Sequence, residues 1–121
     1  MKILVVDDNA SVRAELVNQL ADEHQVHYAE NGLAALSMTQ SQSFDFIVTD
    51  YKMPLMDGIK LVENLFAELA YQPSQILVLT TDSSQAIKFK LKQLDIKWFE
   101  KPVSAEKVNC HISQCCDTEA A

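Results

Sequence analysis

Several residue types that mark specialised protein classes are scarce in this chain. It has two glycines, three prolines and three cysteines among 121 residues, too little glycine and proline for a collagen and too few cysteines for a disulfide scaffold. Cys110, Cys115 and Cys116 form an odd set near the C-terminus, without the spacing of a disulfide framework. The remaining composition, 48% hydrophobic and 22% charged, is typical of a folded domain rather than a disordered segment.

Long apolar runs and a surplus of positive charge are also missing. Only four apolar residues separate Met1-Lys2 from Asp7, too few for a signal peptide, and no apolar run could span a bilayer. The net charge of −7 argues against general nucleic-acid binding. We therefore expect a cytoplasmic protein that contacts neither a membrane nor nucleic acid directly.

The length corresponds to one domain. A chain of 121 residues is close to the commonest single-domain size and long enough for one hydrophobic core. We expect this domain to occupy residues 1–116, with residues 117–121 forming either a C-terminal tail or the start of a linker.

Five strand-like segments alternate with five helix-like segments. The strands are predicted near residues 2–6, 26–29, 45–49, 75–79 and 95–99, and apolar residues at helical spacing follow each of them. Three of these segments are continuously apolar, at residues 3–6, 46–48 and 76–79, which is typical of parallel strands covered on both faces by helices. The pattern predicts an α/β fold with a doubly wound parallel sheet.

Three acidic residues follow two of the predicted strands. Asp7 and Asp8 come directly after residues 3–6, and Asp50 comes after residues 46–49. Carboxylates crowded at one edge of a sheet repel one another, so the cluster is tolerable mainly if a hard divalent cation neutralises it. Mg²⁺ is the expected ion, and its open coordination positions suit a phosphoryl oxygen. One of the carboxylates could then act as a nucleophile.

Other polar residues follow the fourth and fifth predicted strands. The fourth strand ends at Thr80-Thr81-Asp82, and the fifth runs through Trp98-Phe99-Glu100 into Lys101-Pro102. Ligands of doubly wound sheets bind outside the carboxyl ends of the strands. We therefore expect these residues to converge with the three aspartates.

Four sequence elements, in order and at matching intervals, resemble the receiver domain of bacterial two-component response regulators. They are Val5-Val6-Asp7-Asp8-Asn9, residues 50–58, Leu79-Thr80 and Lys101-Pro102. The resemblance covers residues 2 to about 115. It implies the flavodoxin-like (CheY-like) fold with strand order 2-1-3-4-5, and a phosphorylation-dependent signalling switch rather than an enzyme.

The resemblance also implies a phosphoacceptor and its metal ligands. Asp50 would accept a phosphoryl group from a phosphohistidine on a sensor histidine kinase or a histidine phosphotransfer protein. Mg²⁺ would be bound by Asp8 and Asp50 directly, by the backbone carbonyl of Lys52, and by Asp7 mainly through coordinated water.

Further residues would hold and report the phosphate. Lys101 would pair with a phosphoryl oxygen, and its peptide bond to Pro102 would be cis, a conformation that X-Pro bonds adopt most readily. Thr80 would donate a hydrogen bond to another phosphoryl oxygen. Trp98 occupies the position at which many relatives carry a Tyr or Phe that turns from exposed to buried, although the sequence leaves open whether Trp98 itself moves.

The segment after Asp50 has structural roles. Met53 and Met56 are expected to pack the loop that positions Asp50. Pro54 is expected to stiffen that loop, and Gly58 to permit the turn into the third helix.

Three residues at the rim of the predicted site distinguish this chain from other members of the family that it resembles. Thr81 stands where most relatives carry Ala or Gly, and its larger side chain is expected to narrow access. Lys52 and Asp82, two residues beyond Asp50 and Thr80 respectively, would flank the path of attacking water. We expect these two side chains to pair across the mouth of the site and slow hydrolysis of the phosphate.

Charge is distributed unevenly. Residues 1–81 contain eleven acids and four bases, whereas residues 82–121 contain six of each. Six lysines fall between residues 88 and 107, on or near the fourth helix, the fifth strand and the fifth helix. Receiver domains commonly use this face for output contacts or dimerisation, so we expect an unidentified output protein there, with a homodimer as a second use. The lysines are either a solvated surface or the complement of an acidic partner.

Two alternatives remain open at the level of sequence. In the first, the chain is a receiver excised from a longer response regulator with a DNA-binding or enzymatic output domain. The more distant one is a Mg²⁺-dependent phosphohydrolase of the haloacid dehalogenase type, which also forms an aspartyl phosphate on a similar sheet. That family's Asp-x-Asp spacing is absent, because Asp7 and Asp8 are adjacent.

Overall fold

The computed structural model describes residues 1–81 and 84–120, with the backbone alone for residues 115–120. Strands and helices alternate along this part of the chain, and none of its helices has both the length and the apolar character needed to cross a bilayer. The strands are β1 (Lys2–Val6), β2 (Gln25–Ala29), β3 (Phe46–Asp50), β4 (Ile76–Thr80) and β5 (Lys97–Glu100). The helices are α1 (Ala10–Leu20), α2 (Gly32–Ser41), α3 (Gly58–Leu69), α4 (Gln85–Gln93) and α5 (Ala105–Ala120), with a 3-10 helix at Pro73–Gln75.

The strands form one parallel sheet in the order β2-β1-β3-β4-β5. This confirms the predicted doubly wound α/β fold and its strand order. Because all strands run the same way, their carboxyl ends lie at one edge of the sheet. Asp50 ends β3 and Thr80 ends β4, where Thr80 lies opposite Glu100 of β5.

The sheet separates two apolar layers. Along β1, Ile3 and Val5 face one layer whereas Leu4 and Val6 face the other, so an uninterrupted apolar strand serves both. Helices α1 and α5 cover the first layer, and α2, α3 and α4 cover the second. Met53 is buried in the second layer and Met56 packs against it, as predicted for the loop after Asp50.

Side-chain caps fix where the helices begin. The Asn9 side chain accepts hydrogen bonds from the amides of Ser11 and Val12 at 3.0 and 3.1 Å, and the Asp57 carboxylate accepts one from the amide of Lys60 at 2.8 Å. Since Asn9 caps α1, the exposed Asp8 beside it is not needed for that purpose.

Strand β5 starts two residues later than the sequence predicts. The prediction of a strand from residue 95 was wrong because the chain is still leaving α4 there: the Ile96 amide donates to the Leu91 carbonyl at 3.0 Å. Asp95 adopts a left-handed conformation with φ of 59°. It ends the helix as glycine commonly does, although side chains other than Gly and Asn rarely take that role.

Gly58 is required by close packing rather than by backbone freedom. The described glycines have no positive φ, so Gly58 makes the turn into α3 without a left-handed conformation. A Cβ atom at this position would overlap the Asp50 carbonyl oxygen and lie 3.0 Å from the Tyr51 Cα atom. Only glycine therefore lets the start of α3 approach the end of β3 and place Asp50.

Replacing Gly58 by alanine is expected to lower the free energy of unfolding by about 1–3 kcal/mol, because the added methyl group meets backbone that cannot rotate away. Urea denaturation measures this change. Lys60→Ala is the matched control, since Lys60 is exposed on the same helix and should change stability by no more than about 0.5 kcal/mol. Equal stabilities for the two variants would contradict the packing argument.

Candidate functional site

Three carboxylates meet at the carboxyl edge of the sheet. One oxygen from each of Asp7, Asp8 and Asp50 can be chosen so that all three lie within 4.8 Å of one another. Asp7 is 1% exposed and Asp50 7% exposed, whereas Asp8 is open to solvent. The backbone holds Asp7 firmly, since its amide donates to the Ala29 carbonyl at 3.2 Å. The cluster predicted from the sequence is therefore present, with one side open.

The ammonium group of Lys101 lies between two of these carboxylates. Its Nζ atom is 3.0 Å from Asp7 Oδ2 and 3.2 Å from Asp50 Oδ1. The Lys101 amide donates to the Thr80 carbonyl at 2.8 Å, which anchors the residue to the end of β4. The peptide bond between Lys101 and Pro102 is cis, as expected.

Burial and the neighbouring charges shift two pKa values in the cluster. The pKa of Asp50 is raised, mainly because burial penalises its charged form, with the Asp7 and Asp8 charges adding to the rise and Lys101 opposing it. Burial by itself would lower the pKa of Lys101, but the hydrogen bond to Asp7 and the charge of Asp50 raise it above its ordinary value. The cluster thus carries more negative charge than one lysine neutralises.

The donor atoms of the cluster suit a hard cation. They are carboxylate oxygens from three side chains, the ligand type that Mg²⁺ prefers, and too few to fill its coordination shell. A cation bound here would keep open positions for water or a phosphoryl oxygen. The buried carboxylate of Asp50 is the group placed at the end of the central strand, facing that space.

The remaining predicted residues lie around the cluster at different depths. Thr80 is buried at the end of β4, next to the Lys101 backbone. Trp98 is partly buried and packs on the α4 side of the sheet. Lys52 and Thr81 are exposed. Asp82 lies outside the described residues, so its pairing with Lys52 remains a prediction.

The loop after Asp50 contains a feature that the sequence did not reveal. The Met56 amide donates to the Pro54 carbonyl at 2.8 Å and closes a three-residue turn around Leu55. Leu55 has φ of 72° and is 74% exposed. Turns of this kind are rare for residues with a side chain, and local propensity gives no signal for one at leucine.

Arg13 is a second residue that the sequence reasoning missed. Its Nη1 atom donates to the Asp7 carbonyl at 2.9 Å, and its guanidinium lies over the Tyr28 ring, 5.1 Å from the centroid. Arg13 therefore fixes the backbone of Asp7 through its carbonyl oxygen. A cationic residue one turn into the helix that follows an acidic pair was the available signal.

The raised pKa of Asp50 predicts a pH-dependent effect of Asp50→Asn on stability. Because the folded protein holds this proton more tightly than the unfolded chain, the charged carboxylate lowers stability as pH rises above its ordinary pKa of 3.8. In Mg²⁺-free buffer at pH 7, Asp50→Asn should raise the melting temperature. The gain should shrink as pH falls toward 4, because the folded carboxyl takes up its proton while the unfolded one approaches its ordinary pKa.

Thermal unfolding followed by circular dichroism between pH 4 and pH 7 measures this effect. Asp22→Asn is the control, because Asp22 is exposed just beyond the far end of α1. If Asp50→Asn gave the same change in melting temperature at both pH values, burial of the charge would not be its cause.

Known proteins share the sequence pattern and the fold of this chain. A family model described as the response regulator receiver domain matches residues 3–113. The chemotaxis protein CheY-3 of Vibrio cholerae is 34% identical over 108 residues, which cover 87% of this chain and 83% of that protein. The sensor histidine kinase TmoS of Ectopseudomonas mendocina is 28% identical over 113 residues, covering 93% of this chain but 12% of that protein.

Solved structures agree with these sequence relatives. The structure of chemotaxis response regulator CheY4 of Vibrio cholerae superposes with a TM-score of 0.84 at 32% identity, covering 94% of this chain and 97% of that one. The family match spans nearly the whole chain. Relatives of similar length share both its sequence pattern and its fold. The chain therefore belongs to the response regulator receiver family.

Proposed function

We propose that the protein is a phosphorylation-dependent switch whose phosphoacceptor is Asp50. Receiver domains are signalling switches that bind Mg²⁺ at an acidic pocket, and membership of that family supports the assignment. The observation that carries it is the contact of Lys101 with both Asp7 and Asp50 inside the three-carboxylate cluster. A nucleophile, acidic ligands and a cation for the phosphoryl group thus share one small space.

Phosphoryl transfer would proceed by attack of an Asp50 carboxylate oxygen on phosphorus. The donor is a phosphohistidine of a sensor histidine kinase or a histidine phosphotransfer protein. A P–O bond to Asp50 forms, the P–N bond to the donor breaks, and the imidazole leaves with the electron pair. Lys101 already lies 3.2 Å from Asp50 Oδ1, so its ammonium group can pair with a phosphoryl oxygen attached there.

Four groups would hold Mg²⁺ beside the acceptor. They are the carboxylates of Asp8 and Asp50, the backbone carbonyl of Lys52, and Asp7 through coordinated water. When bound, the ion offsets the negative charge of the carboxylates and of the incoming phosphoryl group. Asp7 is the ligand least free to move, because its Oδ1 accepts from the Asn9 amide at 2.9 Å and its Oδ2 contacts Lys101.

The phosphate would be reported through Thr80 and β5. Thr80 would donate a hydrogen bond to a phosphoryl oxygen. The solvent exposure of the Trp98 side chain would change in response. The consequence is an altered surface of α4, β5 and α5, which contacts an output protein or a second copy of this chain. The shift can be no larger than the difference in free energy between the phosphate contacts of the two states.

The surroundings of the site would set how long the phosphate persists. Thr81 would narrow access for water, and Lys52 would flank the water path from the other side. The protein is expected to act in the cytoplasm as a switch and not as an enzyme, without binding nucleic acid or a membrane.

The proposed receiver domain spans residues 1–116, followed by a tail or a linker at residues 117–121. One observation favours the alternative that the receiver belongs to a longer protein: the match to TmoS covers 12% of that sensor kinase, so a receiver of this type occurs inside a larger chain. The full-length gene product distinguishes the two.

Incubation with acetyl phosphate and Mg²⁺ should add one phosphate to the protein, because Asp50 is the only carboxylate proposed as nucleophile. Intact-mass spectrometry detects the addition, and Asp50→Asn should abolish it. Asp22→Asn, an exposed carboxylate change outside the cluster, should label like the wild type. Labelling that survives in Asp50→Asn would refute the assignment, and catalytic turnover of a phosphate ester would favour a phosphohydrolase instead.

Millimolar Mg²⁺ should raise the melting temperature, since an ion that binds only the folded state stabilises it and also relieves repulsion within the cluster. At a concentration one hundred times the dissociation constant, the gain is about 2.7 kcal/mol. Differential scanning fluorimetry with and without Mg²⁺ measures it. The shift should be reduced in Asp8→Asn and kept in Asp22→Asn, and no shift in the wild type would count against an assembled metal site.

A further inference from the structure

Every polar atom of Asp7 has a partner in the structure. Its amide donates to the Ala29 carbonyl at 3.2 Å, and its side-chain oxygens accept from the Asn9 amide at 2.9 Å and from Lys101 Nζ at 3.0 Å. Its carbonyl oxygen accepts from Arg13 Nη1 at 2.9 Å. Three of these contacts come from the backbone or from the carboxylate cluster itself. The fourth comes from a side chain of α1 that lies outside the cluster.

The oxygen that Arg13 holds belongs to the peptide unit between Asp7 and Asp8. A peptide unit is planar, so holding its oxygen in place also holds the Cα atom of the next residue, Asp8. Asp8 is open to solvent, whereas Asp7 and Asp50 are almost completely buried. Arg13 therefore restrains, through one peptide plane, the carboxylate that packing holds least.

A second contact holds Arg13 itself. Its guanidinium carbon lies 5.1 Å from the centroid of the Tyr28 ring, within the range of a cation–π interaction. Tyr28 precedes Ala29 on β2, and the Ala29 carbonyl accepts from the Asp7 amide. Strand β2 thus holds Asp7 twice, directly through Ala29 and indirectly through Tyr28 and Arg13.

The residue type at position 13 suits both contacts. Arg13 is the only arginine of the chain. A guanidinium is planar and carries its donors at the edge, so it can stack on a ring and donate to an oxygen at once, whereas an ammonium group is a point charge without a face. Among the described side chains, Arg13 forms no ion pair with a carboxylate. Its hydrogen bond to Asp7 is therefore not a by-product of a salt bridge.

The contact between Arg13 and Tyr28 lies at the surface, beside a hollow of about 260 Å³ between α1 and β2. Tyr28 is 58% exposed and belongs to neither apolar layer, so its ring can be removed without opening the core. Asn18 lines the same hollow from the same helix. It lies five residues beyond Arg13, about 7.5 Å along the helix axis, and offers a matched control.

We propose that Arg13 and Tyr28 are positioning residues of the metal site, which set its affinity for Mg²⁺ by holding the peptide unit between Asp7 and Asp8. Neither side chain would contact the ion. This inference rests on the proposed function, in which Asp8 binds Mg²⁺ directly. It deepens that function by naming residues outside the ligand set that determine the affinity.

Charge and position predict opposite effects of removing Arg13. A guanidinium near the site repels a cation, so if its charge were all that mattered, Arg13→Ala would strengthen Mg²⁺ binding. If its hydrogen bond positions Asp8, the same variant weakens binding although that repulsion is gone. The sign of the change in affinity therefore distinguishes the two.

Titration of the full chain with MgCl₂, followed by the NMR shift of the Asp8 amide, measures the dissociation constant. Arg13→Ala should raise it about tenfold, as is common when a support of a metal ligand is removed, and Arg13→Lys should raise it less because the ammonium group keeps a donor. Tyr28→Ala should raise it about threefold, as expected for the loss of one exposed cation–π contact. Tyr28→Phe keeps the ring and should keep the affinity, and Asn18→Ala should match the wild type.

A measurement in Mg²⁺-free buffer tests the positioning directly. The ¹⁵N order parameter of the Asp8 amide should fall in Arg13→Ala and Tyr28→Ala, because the peptide unit is then less restrained. It should keep its wild-type value in Tyr28→Phe and Asn18→Ala. An unchanged or lower dissociation constant in Arg13→Ala, equal affinities of the two Tyr28 variants, equal weakening by Asn18→Ala, or an unchanged order parameter in Arg13→Ala would each overturn the proposal.

The wild type separates this proposal from the proposed function. If the wild type binds no Mg²⁺, the proposed metal site falls, and the role of Arg13 and Tyr28 in it falls as well. If the wild type binds Mg²⁺ and takes up phosphate on Asp50, but Arg13→Ala binds the ion with the same affinity, the positioning role alone falls.

Discussion

Mutual repulsion among Asp7, Asp8 and Asp50 is the constraint on which the site depends. Two of the three carboxylates are almost completely buried, where charges interact more strongly than in water. Lys101 offsets part of this repulsion by contacting both buried groups at 3.0 and 3.2 Å. One cation for three anions leaves a deficit of positive charge, and a divalent cation together with a phosphoryl group would redistribute it. Lys101 therefore acts as an internal counter-ion to both buried carboxylates.

The same lysine connects the site to the rest of the molecule. Its amide donates to the Thr80 carbonyl, and Glu100 immediately before it pairs with Lys88 of α4 at 3.2 Å. That ion pair is partly exposed, and such pairs contribute at most about 1 kcal/mol. It can be remade at little cost if β5 and α4 move relative to each other. A change in the partners of Lys101 thus has a short physical route to α4.

The sheet could be predicted from the sequence because the signals for its strands are strong and local. Continuous apolar runs such as residues 76–79 identify buried parallel strands, and acids directly after two of them locate the site. The contact between Lys101 and Asp7 joins residues 94 positions apart, so no local sequence pattern predicts it. The expectation for Lys101 concerned a phosphoryl oxygen, and its contact with Asp7 was not foreseen.

Backbone details escaped prediction for a different reason. Leu55 and Asp95 both adopt positive φ, a region that few residues other than glycine occupy, Asn and Asp more often than Leu. In each case the surrounding structure imposes the conformation: a closed three-residue turn at Leu55 and the exit from α4 at Asp95. Propensity favours this conformation only weakly at Asp95, so the late start of β5 could not be read from residues 95 and 96. Backbone hydrogen bonds between near neighbours close both conformations.

Strand β5 presents side chains to both faces of the sheet. Successive side chains of a strand point to opposite faces of the sheet, so Trp98 and Glu100 face α4 whereas Lys97 and Phe99 face α5. The strand ends next to Lys101, whose ammonium group contacts the proposed phosphoacceptor. A displacement of β5 that follows a change at Lys101 would therefore move the side chains that face α4 and those that face α5 together. Because β5 has only four residues and adjacent residues of a strand face opposite sides, a change at the carboxylate cluster has a short path to both faces of the sheet.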